Sequence, residues 1–155
     1  MKKTFLKNVL ILAVINLTDD GEKIDTSRDS IIIPFHEENI PGGKSLDVSG
    51  IDAAAYPTLS AGHPIIRETA TGNYKALGIT AGAFIALPAG HTYAGVLRAS
   101  VLTKNPQASV MVRGTVNTEA FKNWTKEIYS LANGLVIPAA VQATNTFLRL
   151  TTDKA

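Results

Sequence analysis

Apolar residues occur in short clusters along the middle of the chain, and Gly, Pro and small polar residues separate these clusters. Between Ala61 and Asn117 the clusters are rich in β-branched and aromatic side chains, and they predict five strands, at residues 64–67, 74–79, 83–87, 93–102 and 108–116. Short strands at such spacing are typical of an all-β core rather than of alternating strands and helices. We therefore predict a mainly β fold, either a small barrel or a sandwich-like domain, with residues 41–116 as its core.

Two more apolar runs lie ahead of this core. The run Val9–Leu17 is β-branched and aliphatic enough to form a strand, and a turn is predicted directly after it. The run Ile31–Phe35 contains Pro34, which cannot donate a hydrogen bond to a sheet, so this run ends there or lies on a sheet edge. We predict that residues 1–40 form an N-terminal arm with two apolar strands, packed on its own core or on a neighbouring subunit.

The first residues also resemble a secretory signal peptide. Lys2 and Lys3 precede an apolar run, as in the charged and apolar regions of such signals. Lys7 and Asn8 interrupt the run, however, and no small-x-small cleavage site follows Ile15. We therefore expect the arm to be retained rather than cleaved.

Residues 37–57 differ from the strands on either side, because Gly and Pro mark turns and few large apolar residues are present; we predict a linker or surface loop there. Within it, the sequence Gly42–Ser45 resembles the end of a phosphate-binding P-loop. That motif needs a further glycine five residues before its second glycine, and Glu38 occupies the position, where its carboxylate would repel a triphosphate. Nucleotide binding is therefore not predicted.

One amphipathic helix is predicted after the last core strand. Asn117 or Thr118 can cap its N-terminus, and Glu119 complements the helix dipole there. The pair Asn133-Gly134 is expected to end it. Four apolar side chains fall on one face of this helix: Phe121, Trp124, Ile128 and Leu131. This face either covers an open end of the chain's own β core or, because aromatic residues dominate interface hot spots, forms a subunit or capsid contact.

Two strands are predicted beyond the helix, at Leu135–Pro138 and Thr146–Leu150. The second of them can complete a sheet in its own subunit or in the next one. Residues 117–155 are thus predicted to combine a helix with C-terminal strands and to contribute to an oligomer contact.

The composition limits the possible partners. Charged residues make up 18% of the 155 residues, against about 25% in an average protein, which indicates that another subunit covers some surface. The formal charge of +2 comes from scattered basic residues, whereas nucleic-acid binding needs a basic stripe or patch. The N-terminal apolar run falls short of the ~20 residues of a transmembrane helix. Neither nucleic acid nor a membrane is therefore predicted as a partner.

Candidate catalytic chemistry is sparse. The chain has no Cys, which removes disulfides, thiolate metal sites and Cys nucleophiles. His63 and His91 each follow Ala-Gly, and His36 follows Pro-Phe, but none has a recognisable ligand set or nucleophile beside it. We expect the two Ala-Gly-His triplets to enter strands from turns, with their imidazoles in local hydrogen bonds. No catalytic, metal or cofactor-binding residue is predicted, and the protein is predicted not to be an enzyme.

The predicted strands carry four motifs that identify a resemblance. In chain order they are Ala61–Ile66 (AGHPII), Gly72–Lys75 (GNYK), Tyr93–Leu97 (YAGVL) and Val110–Asn117 (VMVRGTVN). Together they resemble the head fibre and head decoration proteins of tailed bacteriophages, most closely the small head fibre proteins of crAss-like phages. The likeness extends over about residues 9–117 and covers the C-terminal helix and tail only in outline.

The resemblance implies a virion structural protein on the outer surface of an icosahedral capsid, made in the host cytoplasm. It implies a homotrimer bound to the major capsid protein or to other head proteins, with a longer fibre or a host-surface glycan as a further partner. The sequence contains no extended repetitive shaft, so we expect a fibre base, a short spike or a decoration protein.

Two other function classes stay open. A carbohydrate-binding or adhesion module of β-sandwich type would need exposed aromatic side chains as a sugar platform, and the candidates besides Trp124 are Tyr56, Tyr74, Tyr93 and Tyr129. A small hydrolase with a spatially assembled site is disfavoured, because its catalytic residues cannot be named from the sequence.

Overall fold

The computed structural model describes residues 24–153, and the strand predicted at Val9–Leu17 lies outside them. The described part of the chain is mainly β, as predicted, and its strands form a sandwich-like fold rather than a closed barrel. Twelve strands are present in it: β1 Phe35–Asn39, β2 Lys44–Ser45, β3 Thr58–Leu59, β4 Pro64–Glu68, β5 Tyr74–Ala76, β6 Ile79–Thr80, β7 Ala83–Phe84, β8 His91–Leu97, β9 Val101–Leu102, β10 Gln107–Ala108, β11 Val110–Asn117 and β12 Leu148–Thr151. The helices are α1 Asp29–Ile32, α2 Thr118–Ile128 and α3 Ala140–Thr144.

The main sheet has the strand order β1-β11-β8-β4-β5, and β12 also pairs with β11. Its pairs are antiparallel except for β11 with β12, which is parallel. Met111 pairs with both β8 and β1, and Gly114 pairs with both β12 and β1, so β8 and β12 follow one another along the same edge of β11. The shorter strands form three separate pairs, β2 with β10, β3 with β9 and β6 with β7.

Several predicted strands are divided in the structure. The strand predicted at residues 93–102 is β8 followed by β9, and Ser100 lies in the break. The Ser100 amide and hydroxyl donate to the Asp29 carboxylate at 2.9 and 2.6 Å, and the hydroxyl accepts the Ala61 amide at 3.0 Å. Ser100 thus bonds to two distant segments, and these contacts interrupt the ladder at a position that the apolar pattern does not mark.

The prediction of a strand throughout Ile31–Phe35 is wrong for its first residues. Asp29–Ile32 forms the short helix α1, and β1 begins only after Pro34, on the edge of the main sheet. The helical turn is held by the two hydrogen bonds that Ser100 donates to the Asp29 carboxylate and by the fully buried side chain of Ile32.

Residues 37–57 contain more structure than the predicted surface loop. They include the end of β1 and all of β2, and Asp47 forms an isolated parallel bridge with Lys75 of β5. Three of their side chains are buried in the core: Leu46, Ile51 and Tyr56. Because these apolar residues stand alone among turn-forming residues, no periodic pattern predicts their burial.

Helix α2 begins as predicted and ends earlier than predicted. Asn117 Oδ1 accepts the amide of Ala120 at 3.1 Å, which caps the N-terminus. At the other end Ser130 has φ +52°, its amide donates to Glu127, and the amide of Leu131 donates to the Lys126 carbonyl at 3.1 Å. This pair of bonds is a Schellman motif, formed here around serine instead of glycine. Leu131 therefore lies beyond the helix.

The segment Leu135–Pro138 is not a strand, contrary to the prediction. Leu135 and Ile137 are buried and Val136 is exposed, so the alternation of a strand is present. The Leu135 amide, however, donates to the Thr125 hydroxyl of α2 at 2.9 Å rather than to a neighbouring strand. The strand predicted at Thr146–Leu150 is present as β12, within the sheet of its own chain.

The buried apolar side chains form one cluster that includes Ile32 of α1, Phe121 of α2 and Leu148 of β12. Hydrogen bonds cross the predicted divisions after residues 40 and 116, because β1 pairs with β11 and β11 leads directly into α2. The division of the chain into an arm, a core and a C-terminal part stays a prediction.

Candidate interaction surfaces

His63 lies in the hydrophobic core. Its Nε2 is 2.9 Å from the carbonyl oxygen of Leu77, 14 residues away, and a carbonyl can only accept, so Nε2 carries the proton. Its Nδ1 is buried and has no hydrogen-bond partner among the described residues. Burial lowers the pKa of His63 from 6.5 to about 4, so the ring is neutral at pH 7. The prediction of a local hydrogen bond is therefore wrong for His63.

The crowding around Gly62 explains why small residues precede the histidine in the triplet Ala61-Gly62-His63. Gly62 has φ +89°, and a Cβ on it would lie 2.9 Å from Ile32 Cγ2 and 3.0 Å from Phe121 Cδ2. Glycine thus permits both the left-handed backbone and the close approach of α1 and α2 to this turn. Both triplets enter strands from turns, as predicted, since β4 begins at Pro64 and β8 at His91.

The remaining histidines make short-range contacts. His91 Nδ1 is 3.0 Å from the Ala89 carbonyl, and His36 Nε2 is 2.8 Å from Asn39 Oδ1. Within residues 24–153, no group of three or more His, Cys, Asp or Glu side chains is placed to hold a metal ion. The P-loop-like residues Lys44 and Ser45 form β2, which pairs with β10.

The predicted contact face of α2 is turned toward the chain's own core. Phe121 is fully buried and stacks on Phe84 with 6.1 Å between ring centroids, and Trp124 is 8% exposed. The Arg28 guanidinium lies 5.8 Å from the centre of the Trp124 ring. Ile128 and Leu131 are partly buried against the same cluster. Covering the core is therefore the observed role of these side chains, and a subunit or capsid contact through them stays a prediction.

Three of the four candidate tyrosines are buried. Tyr56 and Tyr129 meet edge to face at 4.9 Å, and Tyr93 is 6% exposed. The Tyr129 hydroxyl donates to the Thr58 carbonyl at 2.5 Å and accepts the Ser60 amide at 3.2 Å, and burial raises the pKa of Tyr129. An exposed platform made of several tyrosines is therefore absent from residues 24–153, and only Tyr74 is partly accessible.

An exposed aromatic surface lies where β1, β11 and β12 meet. Phe35 is 57% exposed and Phe147 is 66% exposed. The Arg113 guanidinium lies 4.5 Å from the centre of the Phe147 ring, and its Nη1 is 3.5 Å from Glu37 Oε1. Arg113 of β11 thus contacts both Glu37 of β1 and Phe147, the residue before β12. We call Phe35, Glu37, Arg113 and Phe147 the aromatic patch.

A polar cleft of about 590 Å³ lies beside β5, at the opposite end of the main sheet. Its charged and aromatic lining residues are Lys44, Asp47, Glu68, Tyr74, Lys75 and His91. One wall is the segment around Asp47, whose amide donates to the Tyr74 carbonyl at 3.0 Å and whose carbonyl accepts the Ala76 amide at 3.1 Å. The cleft is therefore bounded by hydrogen-bonded backbone.

The acidic and basic groups of this polar cleft are partly paired. The amide of Ser49 donates to Asp47 Oδ1 at 2.8 Å and holds the pKa of Asp47 below its ordinary value, and Lys75 Nζ at 3.9 Å acts in the same direction. Glu68 Oε2 accepts the Thr71 hydroxyl at 2.6 Å. Both carboxylates are therefore held in place as hydrogen-bond acceptors.

The four phage-like motifs come together in this fold. They occupy β4, β5, β8 and β11 with their adjoining turns, which are consecutive neighbours in the main sheet. Comparison of the chain with protein-family models, with curated proteins and with solved structures gives no match. Among the described helices, none has both the length and the apolar character needed to cross a membrane.

Neither the aromatic patch nor the polar cleft was singled out from the sequence. Phe147 follows polar residues and was interpreted as part of a strand, whereas its ring lies outside β12 and is exposed. The residues of the cleft come from three separate segments, which the pairing of β4, β5 and β8 and the bridge between Asp47 and Lys75 bring together. The Asx-type turn at Asp47 and Ser49 was the one local signal available.

Proposed function

We propose that this chain is a non-enzymatic structural protein of a phage virion, a head fibre base or decoration protein bound to the outside of the capsid. The observation that carries the proposal is the aromatic patch, because two exposed Phe residues and an Arg–Glu pair come together where β1, β11 and β12 meet. Aromatic residues and arginine are enriched in protein interfaces, and clustered exposed apolar groups mark contact sites. The four phage-like motifs support the same class.

In this proposal the patch makes a contact with a second copy or with a head protein. The two rings are desolvated on binding, and the Arg113–Glu37 pair fixes the orientation of the partner, since a misplaced partner would cover these charged groups without bonding to them. Three copies form a homotrimer, and each bound copy favours the intact head by mass action. The protein is made in the host cytoplasm and remains on the outer surface of the virion.

The test combines light scattering with co-sedimentation on purified heads of the phage that encodes the chain. We expect a solution mass three times the 16.5 kDa of the chain, and co-sedimentation with the heads. A monomer that stays in the supernatant at every concentration would refute the proposal.

Matched variants locate the contact. The double substitution Phe35→Ser with Phe147→Ser should weaken self-association or head binding by about tenfold or more, as expected for interface hot spots. Val136→Ser is the control, because Val136 is 64% exposed and does not belong to the aromatic patch. Equal behaviour of the control and the double variant would show that the patch is not the contact.

A further inference from the structure

We infer that the polar cleft beside β5 binds a neutral saccharide. This site is separate from the aromatic patch, because β1 and β5 are the two ends of the main sheet. The inference goes beyond the proposed structural role, since a capsid protein can be assembled and stable without any small-molecule site.

The charges of the cleft oppose an anionic ligand and also a cationic one. Two ammonium groups, Lys44 and Lys75, face two carboxylates, Asp47 and Glu68, so the charged lining sums to zero. A phosphate or nucleotide would lie beside these carboxylates, which repel it. A cation would likewise be repelled by the ammonium groups, whereas a neutral ligand is repelled by neither set of charges.

The hydrogen-bonding groups of the cleft match a ligand that both donates and accepts. The ammonium groups donate, the carboxylates accept, and a hydroxyl of a sugar can do either. Among residues 24–153, the Ser45 hydroxyl, the Asn73 side-chain amide and the Tyr74 hydroxyl make no hydrogen bond to protein. A saccharide can therefore bond to these groups without breaking an existing contact.

His91 adds an acceptor to the same site. Its Nδ1 lies 3.0 Å from the Ala89 carbonyl, which can only accept, so the proton of the neutral ring is on Nδ1. In that tautomer Nε2 can accept a hydrogen bond from a hydroxyl. The pairing of His91 with Glu68 across β8 and β4 sets these two acceptors side by side at one end of the cleft.

Tyr74 supplies the apolar surface that the carbon-bound hydrogens of a sugar ring require. The Lys44 ammonium is 5.5 Å from the centre of the Tyr74 ring and the Arg67 guanidinium is 5.9 Å from it. Both cations are on flexible side chains and can turn away from the ring when a ligand covers it, and Lys44, which lines the cleft, can then bond to sugar hydroxyls. The volume of about 590 Å³ is within the usual range of ~300–1,000 Å³ for small-molecule sites.

The experiment is a titration of the isotope-labelled full chain, followed by amide chemical shifts in NMR spectra. The probes are three neutral saccharides, namely lactose, maltotriose and N,N′-diacetylchitobiose, and two anions, N-acetylneuraminic acid and ATP. The same chain is applied to an array of neutral and acidic glycans. We expect at least one neutral probe or glycan to bind, with saturable shifts confined to the amides of Asp47, residues 72–75 and His91.

Three variants test the named side chains. Tyr74→Ala should weaken the binding of that saccharide tenfold or more, and Glu68→Gln should weaken it severalfold while leaving the amide spectrum of the core unchanged. Glu38→Gln is the matched control, because Glu38 is also a sheet glutamate and is exposed, but lies on β1, at the far end of the sheet and outside the aromatic patch. It should bind as tightly as the unaltered chain.

Three results would overturn the inference: no shift and no array signal with any neutral saccharide, binding of the anions alone, or shifts that lie outside the cleft. Loss of saccharide binding in Glu38→Gln equal to that in Glu68→Gln would also overturn it. None of these results bears on head co-sedimentation, so the failure of this inference is distinguishable from the failure of the proposed structural function.

Discussion

The buried neutral imidazole of His63 makes the stability of this fold depend on pH in a predictable window. The pKa of His63 is lowered to about 4 in the folded chain and has its ordinary value of 6.5 when the chain is unfolded. Between these values the unfolded chain binds a proton that the folded chain does not. The free energy of unfolding therefore rises with pH across this window, reaches its full value above pH 6.5 and is lost as the pH falls toward 4.

The size of the effect follows from the same shift. A difference of two and a half units between 6.5 and about 4 corresponds to about 3 kcal/mol at 1.36 kcal/mol per unit. That is a large fraction of the ~5–15 kcal/mol that stabilises an ordinary domain. The Ser49 amide lowers the pKa of Asp47, so protonation of Asp47 also lowers the free energy of unfolding as the pH falls. This loss occurs only below the ordinary Asp pKa of 3.8.

The assay is urea unfolding followed by the fluorescence of Trp124, the one tryptophan of the chain, at several pH values between 7 and 4. His63→Gln keeps a side-chain donor for the Leu77 carbonyl and removes the titrating group. We expect the free energy of the unaltered chain to fall by about 3 kcal/mol more than that of the variant over this range. His91→Gln, at a partly exposed position, should follow the unaltered chain. Parallel pH profiles for His63→Gln and the unaltered chain would refute the argument.

Three further substitutions, with Gly90→Ala as a control, test the packing around α2. Trp124→Ala should lower the free energy of unfolding by about 3–5 kcal/mol in thermal unfolding followed by circular dichroism, and an unchanged melting temperature would contradict its burial. Gly62→Ala combines a positive φ with contacts of 2.9 and 3.0 Å and should cost about 2–4 kcal/mol in urea unfolding. Gly90→Ala has a similar φ of +75° and open space, so it should cost only about 1–2 kcal/mol, and equal losses would show that crowding at Gly62 is unimportant. Tyr129→Phe leaves the Ser60 amide and the Thr58 carbonyl without their partner and should cost about 1–3 kcal/mol, whereas a neutral effect would mean that water replaces the hydroxyl.

The parts of the fold that the sequence predicts well are those set by local patterns. The mainly β character follows from the short β-branched runs, and the start of α2 follows from Asn117 and the apolar face that begins at Phe121. The C-terminal strand β12 was predicted from its alternation, although its parallel pairing with β11 was not. In each case the chemistry that decides the structure lies within a few residues.

The errors arise where a distant group decides the structure. Asp29 and Ser100 are 71 residues apart, and their hydrogen bonds favour α1 over a strand. Leu135 alternates like a strand residue, yet its amide bonds to Thr125 of α2. The role of His63 depends on Leu77, and the lining of the polar cleft depends on which strands pair. No local pattern contains this information.

The central position of β11 has a consequence for the order of folding. Strand β1, close to the start of the described chain, and strand β12, close to its end, both pair with β11. The main sheet therefore cannot be completed until residue 151 has left the ribosome, and the edge of β11 from Gly114 to Asn117 stays open until then. Pairing between such distant segments is intrinsically slow, and open strand edges expose a growing chain to aggregation. Closure by β12 is therefore the step that ends this exposure.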